Sequence, residues 1–227
     1  MKKLIYDVGI NDLGYTTRKT VSTVVNGKRV TKTTWQCPFY ATWLEMLRRG
    51  FSLKEKERHS NYKDVTVCEE WLTASNFKRW MEQQDWEGND LDKDILIEGN
   101  KVYSPESCCF VPSYINTLLV TSKAIRGNYP LGVSLLKDCL GKGLSKIFRA
   151  SIKNKRNDKC TQKNLGHFET IAEAHRAWQK AKYDIFIERL EEYEKESCFN
   201  QAVYDKMELR AIKLKLDIAL GRETFNI

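Results

Sequence analysis

The run that begins at Thr170 restricts the fold more than any other part of the chain. Its apolar positions Ile171, Ala174, Ala177, Trp178, Ala181, Ile185 and Phe186 keep the 3.6-residue period of a helix. A stripe of this kind describes one side of a long amphipathic helix, and that side needs a second layer to cover it. Thr170 fits the N-cap, because its hydroxyl can accept from a backbone N–H of the first turn. Strand-like pieces at Gly132–Leu136, Ile147–Ile152 and Asn164–Phe168 precede it and supply the layer. Strands followed by a helix that packs on them predict an α+β fold.

Charge is concentrated on those strands. The chain of 227 residues has a formal net charge of +8. Between Leu131 and Gly166, nine basic residues face two acidic ones, a local balance of +7. The first 34 residues carry Lys2, Lys3, Arg18, Lys19, Lys28, Arg29 and Lys32 against Asp7 and Asp12. Basic excess gathered in this way is the footprint of a polyanionic partner. Hydrophobic residues at 41% and charged residues at 30% make an ordinary globular composition rather than a disordered one. The length suits two small domains. No window approaches the roughly 18 apolar residues of a membrane span, and the N-terminus does not read as a secretory signal. A cytoplasmic protein without membrane contact is therefore expected. The seven cysteines form no C-x-x-C pair; core thiols are expected rather than a disulfide framework. A zinc site from Cys37, Cys68 and Cys108 gains no support from their spacing.

Along the chain, Asn26-Gly27 within a Thr-, Val- and Lys-rich segment predicts a short hairpin or arm over residues 1–35. Helical spacing appears from Pro38 to Arg49 and from Ser75 to Gln84. Two extended pieces, Asp94–Ile97 and Cys108–Val111, flank the Gly99-Asn100 turn, and a short helix is expected after Pro112. Residues 123–128 read as a linker, 129–190 as a second domain, and 191–227 as a tail with a helix from Gln201 to Leu220 that stops at Gly221.

The residues Gly132-Val133, Phe148-Arg149-Ala150-Ser151-Ile152, Leu165-Gly166-His167-Phe168-Glu169-Thr170, Ala172-Glu173-Ala174 and Ala177 resemble the AP2 domain. That resemblance implies a three-stranded antiparallel sheet lying in the DNA major groove, with the helix on its far side. It implies Lys146, Arg149, Ser151, Lys153 and Lys163 as DNA-facing residues. Arg149 would address a base edge, since its fork matches guanine O6 and N7, and the lysines would hold phosphates. His167 and His175 are expected to be structural.

The segment Leu91-Asp92-Lys93-Asp94, Gly99 to Val111 and Asn116 resembles the ββα-metal finger of HNH homing endonucleases, in a degenerate form. Val67-Cys68-Glu69-Glu70-Trp71 and Phe77-Lys78-Arg79-Trp80 resemble the lead-in of such proteins in T7-type phages, where AP2 domains also occur. This implies a finger domain over 36–122 in which Asp92 and Asn116 hold Mg²⁺ or Mn²⁺ and Ser107 takes the loop-bracing position. Zinc is not expected. Lys93 stands at the general-base position, where a histidine is usual. A lysine of ordinary pKa near 10.4 is a poor proton acceptor at neutral pH, and losing a general base costs about 10²- to 10⁴-fold. The resemblance thus implies a phage protein that binds double-stranded DNA in the cytoplasm of an infected bacterium. It would be a homing-type endonuclease or nickase, or a non-catalytic DNA-binding or regulatory descendant of one. A phage protein acting on a host protein is the third expectation, and the C-terminal helix is a candidate homodimer contact.

Overall fold

The computed structural model describes residues 4–120, 129–136, 145, 147–156 and 159–227. The fold is α+β, and the chain divides into two compact units, Met1–Phe110 and Val111–Ile227. No helix among the described residues is long and apolar enough to cross a membrane.

The first unit opens with strands β1 (Arg18–Val25) and β2 (Lys28–Gln36), which pair as an antiparallel ribbon. Asn26 (φ 50°) and Gly27 (φ 72°) both take left-handed backbone, the geometry of the two-residue turn that matches strand twist. Helix α1 (Pro38–Phe51) follows, then α2 (Leu53–Arg58) and α3 (Ala74–Met81). Trp43, Met46 and Leu47 of α1 close on Trp71 and on Phe77 and Met81 of α3, with Val65, Tyr103 and Phe110. The Trp43 indole donates to the Trp71 carbonyl at 2.7 Å, which satisfies a buried N–H. Short strands follow: β3 (Thr66–Val67) runs parallel to β5 (Val102–Tyr103), and β4 (Asn89–Asp92) pairs with β6 (Cys109–Pro112), the strand in which the first unit ends.

One sequence expectation changes here. Asp94–Ile97 is not a strand; the strand precedes it and ends at Asp92. Asp92 Oδ1 accepts from the backbone N–H groups of Asp94 and Ile95, each at 2.7 Å, and this local alternative to ladder pairing turns the chain out of the sheet.

In the second unit, α4 (Ser113–Asn116) precedes an antiparallel sheet ordered β7 (Val133–Leu135), β8 (Phe148–Arg156), β9 (Lys159–Phe168). The 23-residue helix α5 (Ile171–Tyr193) packs on this sheet, and α6 (Gln201–Ala219) packs on α5. The sequence grouped α4 with the finger and set the tail apart. In the structure Tyr114 of α4 donates to Glu196 and lies against Arg189 of α5, and the tail is part of the same unit. The 123–128 linker lies outside the described residues.

Thr170 caps α5 in a reciprocal box: its Oγ1 accepts from the Glu173 N–H at 3.2 Å, and Glu173 accepts from the Thr170 N–H at 3.2 Å. Gly132 (φ 79°) lies so close to α5 that a Cβ there would sit 1.9 Å from Trp178 Cδ1. The C-terminal tail is pinned to the same helix. Thr224 is buried, its N–H donates to His175 Nε2 at 3.0 Å, and Gln179 donates to Thr224 Oγ1 at 2.9 Å.

Candidate nucleic-acid interface

The register of β7, β8 and β9 decides which side chains share a face, because residues directly opposite in a ladder project to the same side. Ala150 and Ile152 are buried against α5, with Val133, Leu165, Ala174 and Trp178 around them. Arg149, Ser151 and Lys153 alternate with them and therefore point away from the helix. Arg149 lies opposite Ser134 and His167, Ser151 opposite Asn164, and Lys153 opposite Gln162. The Arg149 Nε donates to Ser134 Oγ at 3.3 Å, and Gln162 Nε2 donates to Ser151 Oγ at 3.2 Å. Every position of this outer face whose side chain is described is cationic or carries a neutral donor or acceptor. The sequences of all three strands contain no Asp or Glu.

A bulge shapes the face. Ala150 pairs with Gly166 and Ser151 with Asn164, so Leu165 is the extra residue and packs into the core. Gly166 (φ 127°) takes the left-handed backbone that this step needs, and Asn164 Oδ1 accepts from its N–H at 3.1 Å.

Of the five DNA-facing residues expected from sequence, the structure brings Arg149, Ser151 and Lys153 together. Lys163 lies opposite Ile152, so its register puts it on the helix side of the sheet, although its side chain is exposed. Lys146 lies outside the described residues. The face also gains Ser134, Gln162, Asn164 and His167, which sequence reasoning missed. Their strand parity was the available signal, and along β9 the bulge interrupts it. His175, by contrast, is a structural histidine. It stacks on Trp178, its Nδ1 is 3.0 Å from the Leu131 carbonyl, and its Nε2 accepts from Thr224.

The finger residues are held by local bonds. Lys93 is 5% exposed, and its Nζ reaches both carboxylate oxygens of Asp94 at 2.7 Å and the Asn100 carbonyl at 2.9 Å. An ammonium has three donors and no acceptor, so these three bonds occupy it fully. Asn100 answers with a bond from its own amide to the Lys93 carbonyl at 2.9 Å, and it also donates to the Val102 carbonyl at 2.7 Å. The pair clamps the turn that joins β4 to β5. Ser107 Oγ donates to the same Val102 carbonyl at 2.8 Å and braces the next turn. Asn100, seen in the sequence only as a turn residue, is the main brace.

Burial pushes the Asp92 carboxyl above the usual carboxylate range, and the two backbone N–H groups on Oδ1 oppose that rise. Burial also pushes the neighbouring Cys108 thiol up to about 12 and raises Cys109. Asn116 ends α4, is half-buried and belongs to the second unit, whereas Asp92 belongs to the first. His59 sits beside Glu55, with Nε2 3.6 Å from its carboxylate, and its ring lies against Tyr62. Cys37, Cys68, Cys108, Cys109 and Cys198 are free thiols. Among the described residues, no three His, Cys, Asp or Glu side chains converge as a metal site would require.

Comparison with family models, with curated proteins and with solved structures finds no match to this chain.

Proposed function

We propose that this chain is a double-stranded DNA-binding protein that lays the outer face of β7, β8 and β9 in the major groove, as the AP2-like pattern implies. The observation that carries this reading is the face itself. Arg149 and Lys153 stand among Ser134, Ser151, Gln162, Asn164 and His167, with no carboxylate in the three strands. The groove is about 12 Å wide and admits a β-ribbon of this kind. Arg149 is placed centrally, with Ser134 on one flank and His167 on the other, where a fork can address guanine O6 and N7. Lys153, exposed towards the end of β8, serves a phosphate. Support from behind is rigid, because α5 fills the opposite face.

In this reading the β4–β5 turn is a structural brace. A Lys93 ammonium with all three donors engaged has no lone pair for an attacking water, and Asp92 Oδ1 is already committed to the turn. The homing-type nickase, with Mg²⁺ or Mn²⁺ on its finger, is the reading this replaces.

Binding to a random-sequence 30-bp duplex pool, selected and then measured by fluorescence anisotropy, tests the proposal. Arg149→Ala should weaken the selected sequence by about 10- to 100-fold and relax preference at one position. Lys153→Gln should weaken all sequences alike and reduce the salt slope by about 0.9. Absence of duplex binding at low salt, or an unaltered Arg149→Ala variant, would refute it and favour a host-protein target. Plasmid relaxation with Mg²⁺, Mn²⁺ or EDTA separates the nickase: metal-dependent nicking lost in Asn116→Ala would establish cutting.

A further inference from the structure

The β1–β2 ribbon has the composition of a binding arm and is exposed along almost its whole length. All eight residues of β1 and all of β2 except Gln36 are exposed, on both faces. An isolated two-stranded ribbon is marginal in water, because neither face buries apolar area. This one nevertheless holds Val24 at 73% exposure and Trp35 at 44%. It is also purely cationic. Arg18, Lys19, Lys28, Arg29 and Lys32 lie on it, and the sequence has no Asp or Glu between Asp12 and Glu45.

The two faces differ in chemistry. The pairs Thr20–Thr33, Ser22–Thr31 and Val24–Arg29 share one face, which Arg18 joins by alternation. That face is a row of hydroxyls with an arginine towards each end, and Ser22 and Thr31 bond to each other at 2.9 Å. Hydroxyls both donate and accept, and arginine forks match guanine, so this row can address base edges. The other face carries Lys19, Lys28 and Lys32 beside Val21, Val30 and Trp35, with the Lys19 ammonium 5.7 Å from the Trp35 ring centroid. Lysines on long flexible stems can reach round to phosphates on either wall of a groove. Eight residues of strand span about 26 Å at roughly 3.3 Å each.

We infer that the ribbon is a second nucleic-acid contact: a β-arm that enters the major groove of duplex DNA with its Arg18–Arg29 hydroxyl face on the base edges and its lysines on the phosphates. This goes beyond the proposed role of the β7–β9 sheet and does not depend on it. Net charge selects the occupant. A protein partner would need a strongly acidic, flat surface, whereas a duplex offers both the groove width and a continuous line of phosphates.

The test uses the full chain and a mixed-sequence 30-bp DNA duplex, followed by anisotropy from 50 to 300 mM salt. Three variants are compared: Arg18→Gln with Arg29→Gln; Lys19→Gln with Lys28→Gln and Lys32→Gln; and Arg149→Ala with Lys153→Gln in the sheet. The ribbon positions are exposed, so the fold tolerates the changes, and far-ultraviolet dichroism checks this. The triple lysine variant should bind about tenfold or more weakly at low salt and lose about 2 to 3 from the salt slope. The same losses should appear when the ribbon changes are added to the sheet variant. Amides of residues 18–36 should gain hydrogen-exchange protection on binding.

Unchanged affinity in both ribbon variants, beside a loss in the sheet variant, would overturn the inference and leave the proposed function standing. Losses confined to the ribbon variants would support the arm and remove the sheet. Tighter binding to a 30-nucleotide single strand than to the duplex would overturn the groove assignment. So would a dimer that Val30→Thr with Trp35→Ser dissociates without any change in DNA affinity, since that result assigns the apolar face to a second copy of the chain.

Discussion

Replacing Lys182 by methionine should make the protein more stable, against the usual direction of a core substitution. Lys182 is 6% exposed within α5. Its Nζ donates to the Leu118 carbonyl at 2.7 Å and lies 5.4 Å from the Phe186 ring centroid. Burial alone lowers its pKa from 10.5 to about 8. A shift of that size corresponds to about 3 kcal/mol of disfavoured charge at neutral pH, at roughly 1.4 kcal/mol per unit. Methionine has a similar length and no charge, and leaves the Leu118 carbonyl without its donor, which costs about 1 kcal/mol. The net expectation is a gain of about 2 kcal/mol at pH 7. Below pH 8 both folded and unfolded wild type hold the proton, so the penalty is constant. From pH 8 to about 10.5 only the unfolded chain holds it, so wild-type stability rises with pH and the gap to the variant closes. Cys108 and Tyr103, both raised to about 12 by burial, drive the opposite trend, but they are common to both proteins and cancel in the difference. Five of the six tryptophans precede residue 111, so whole-protein fluorescence would report mainly the first unit. Hydrogen exchange of α5 amides in urea, at pH 7 and pH 9.5, reads the right one. A variant less stable than wild type by more than about 1 kcal/mol, or a gap that does not narrow with pH, would refute the assignment of Lys182 as a net-destabilising buried cation.

Two further expectations concern the platform under the candidate interface. Gly132→Ala puts a methyl group into the Trp178 ring at a positive φ, so the second unit should lose at least about 2 kcal/mol, read by the same exchange measurement, while protection in α1 and α3 is unchanged. Thr170→Ala removes one half of the capping box and should cost about 1 kcal/mol in thermal or urea unfolding, with exchange fastest in the first turn of α5; a loss below about 0.3 kcal/mol would deny the cap its role.

The periodic elements were legible because one physical signal fixes each of them. Thr170, Glu173 and the Ala174-Trp178 stripe specify α5, Asn26-Gly27 specifies the β1–β2 turn, and Gly221 follows the end of α6. The α+β class followed from the order of these pieces. Face assignments were less legible. Lys163 reads as one more cation of a basic strand, yet the Leu165 bulge shifts the register so that Lys163 falls on the helix side. His167, read as structural, is exposed opposite Arg149, in the part of the ladder that precedes the bulge. Long-range polar partners left no mark in the sequence at all. The Leu118 carbonyl under Lys182, and the tail residue Thr224 on His175 and Gln179, are 40 or more positions away from the groups they bind. Asp92 and Lys93 show a different limit. A motif position gives a residue type, whereas the bonds to Asp94, Ile95 and Asn100 that occupy these side chains depend on the turn they build.

Glu188, Glu191, Glu192, Glu194 and Glu196 crowd the C-terminal end of α5, where the helix dipole already carries negative partial charge. This arrangement is unfavourable within the helix. It is relieved in part by Arg189, which pairs with Glu192 and Glu188 and reaches Asn154 across to β8, and by the Tyr114 hydroxyl on Glu196. The helix lies behind the sheet, so Arg149 and Lys153 of β8 point to the side away from α5, whose last turns carry this acidic cluster. A polyanion is drawn towards the two cations and repelled by the acidic cluster, so the proposed duplex contact would be steered to the sheet side of the unit.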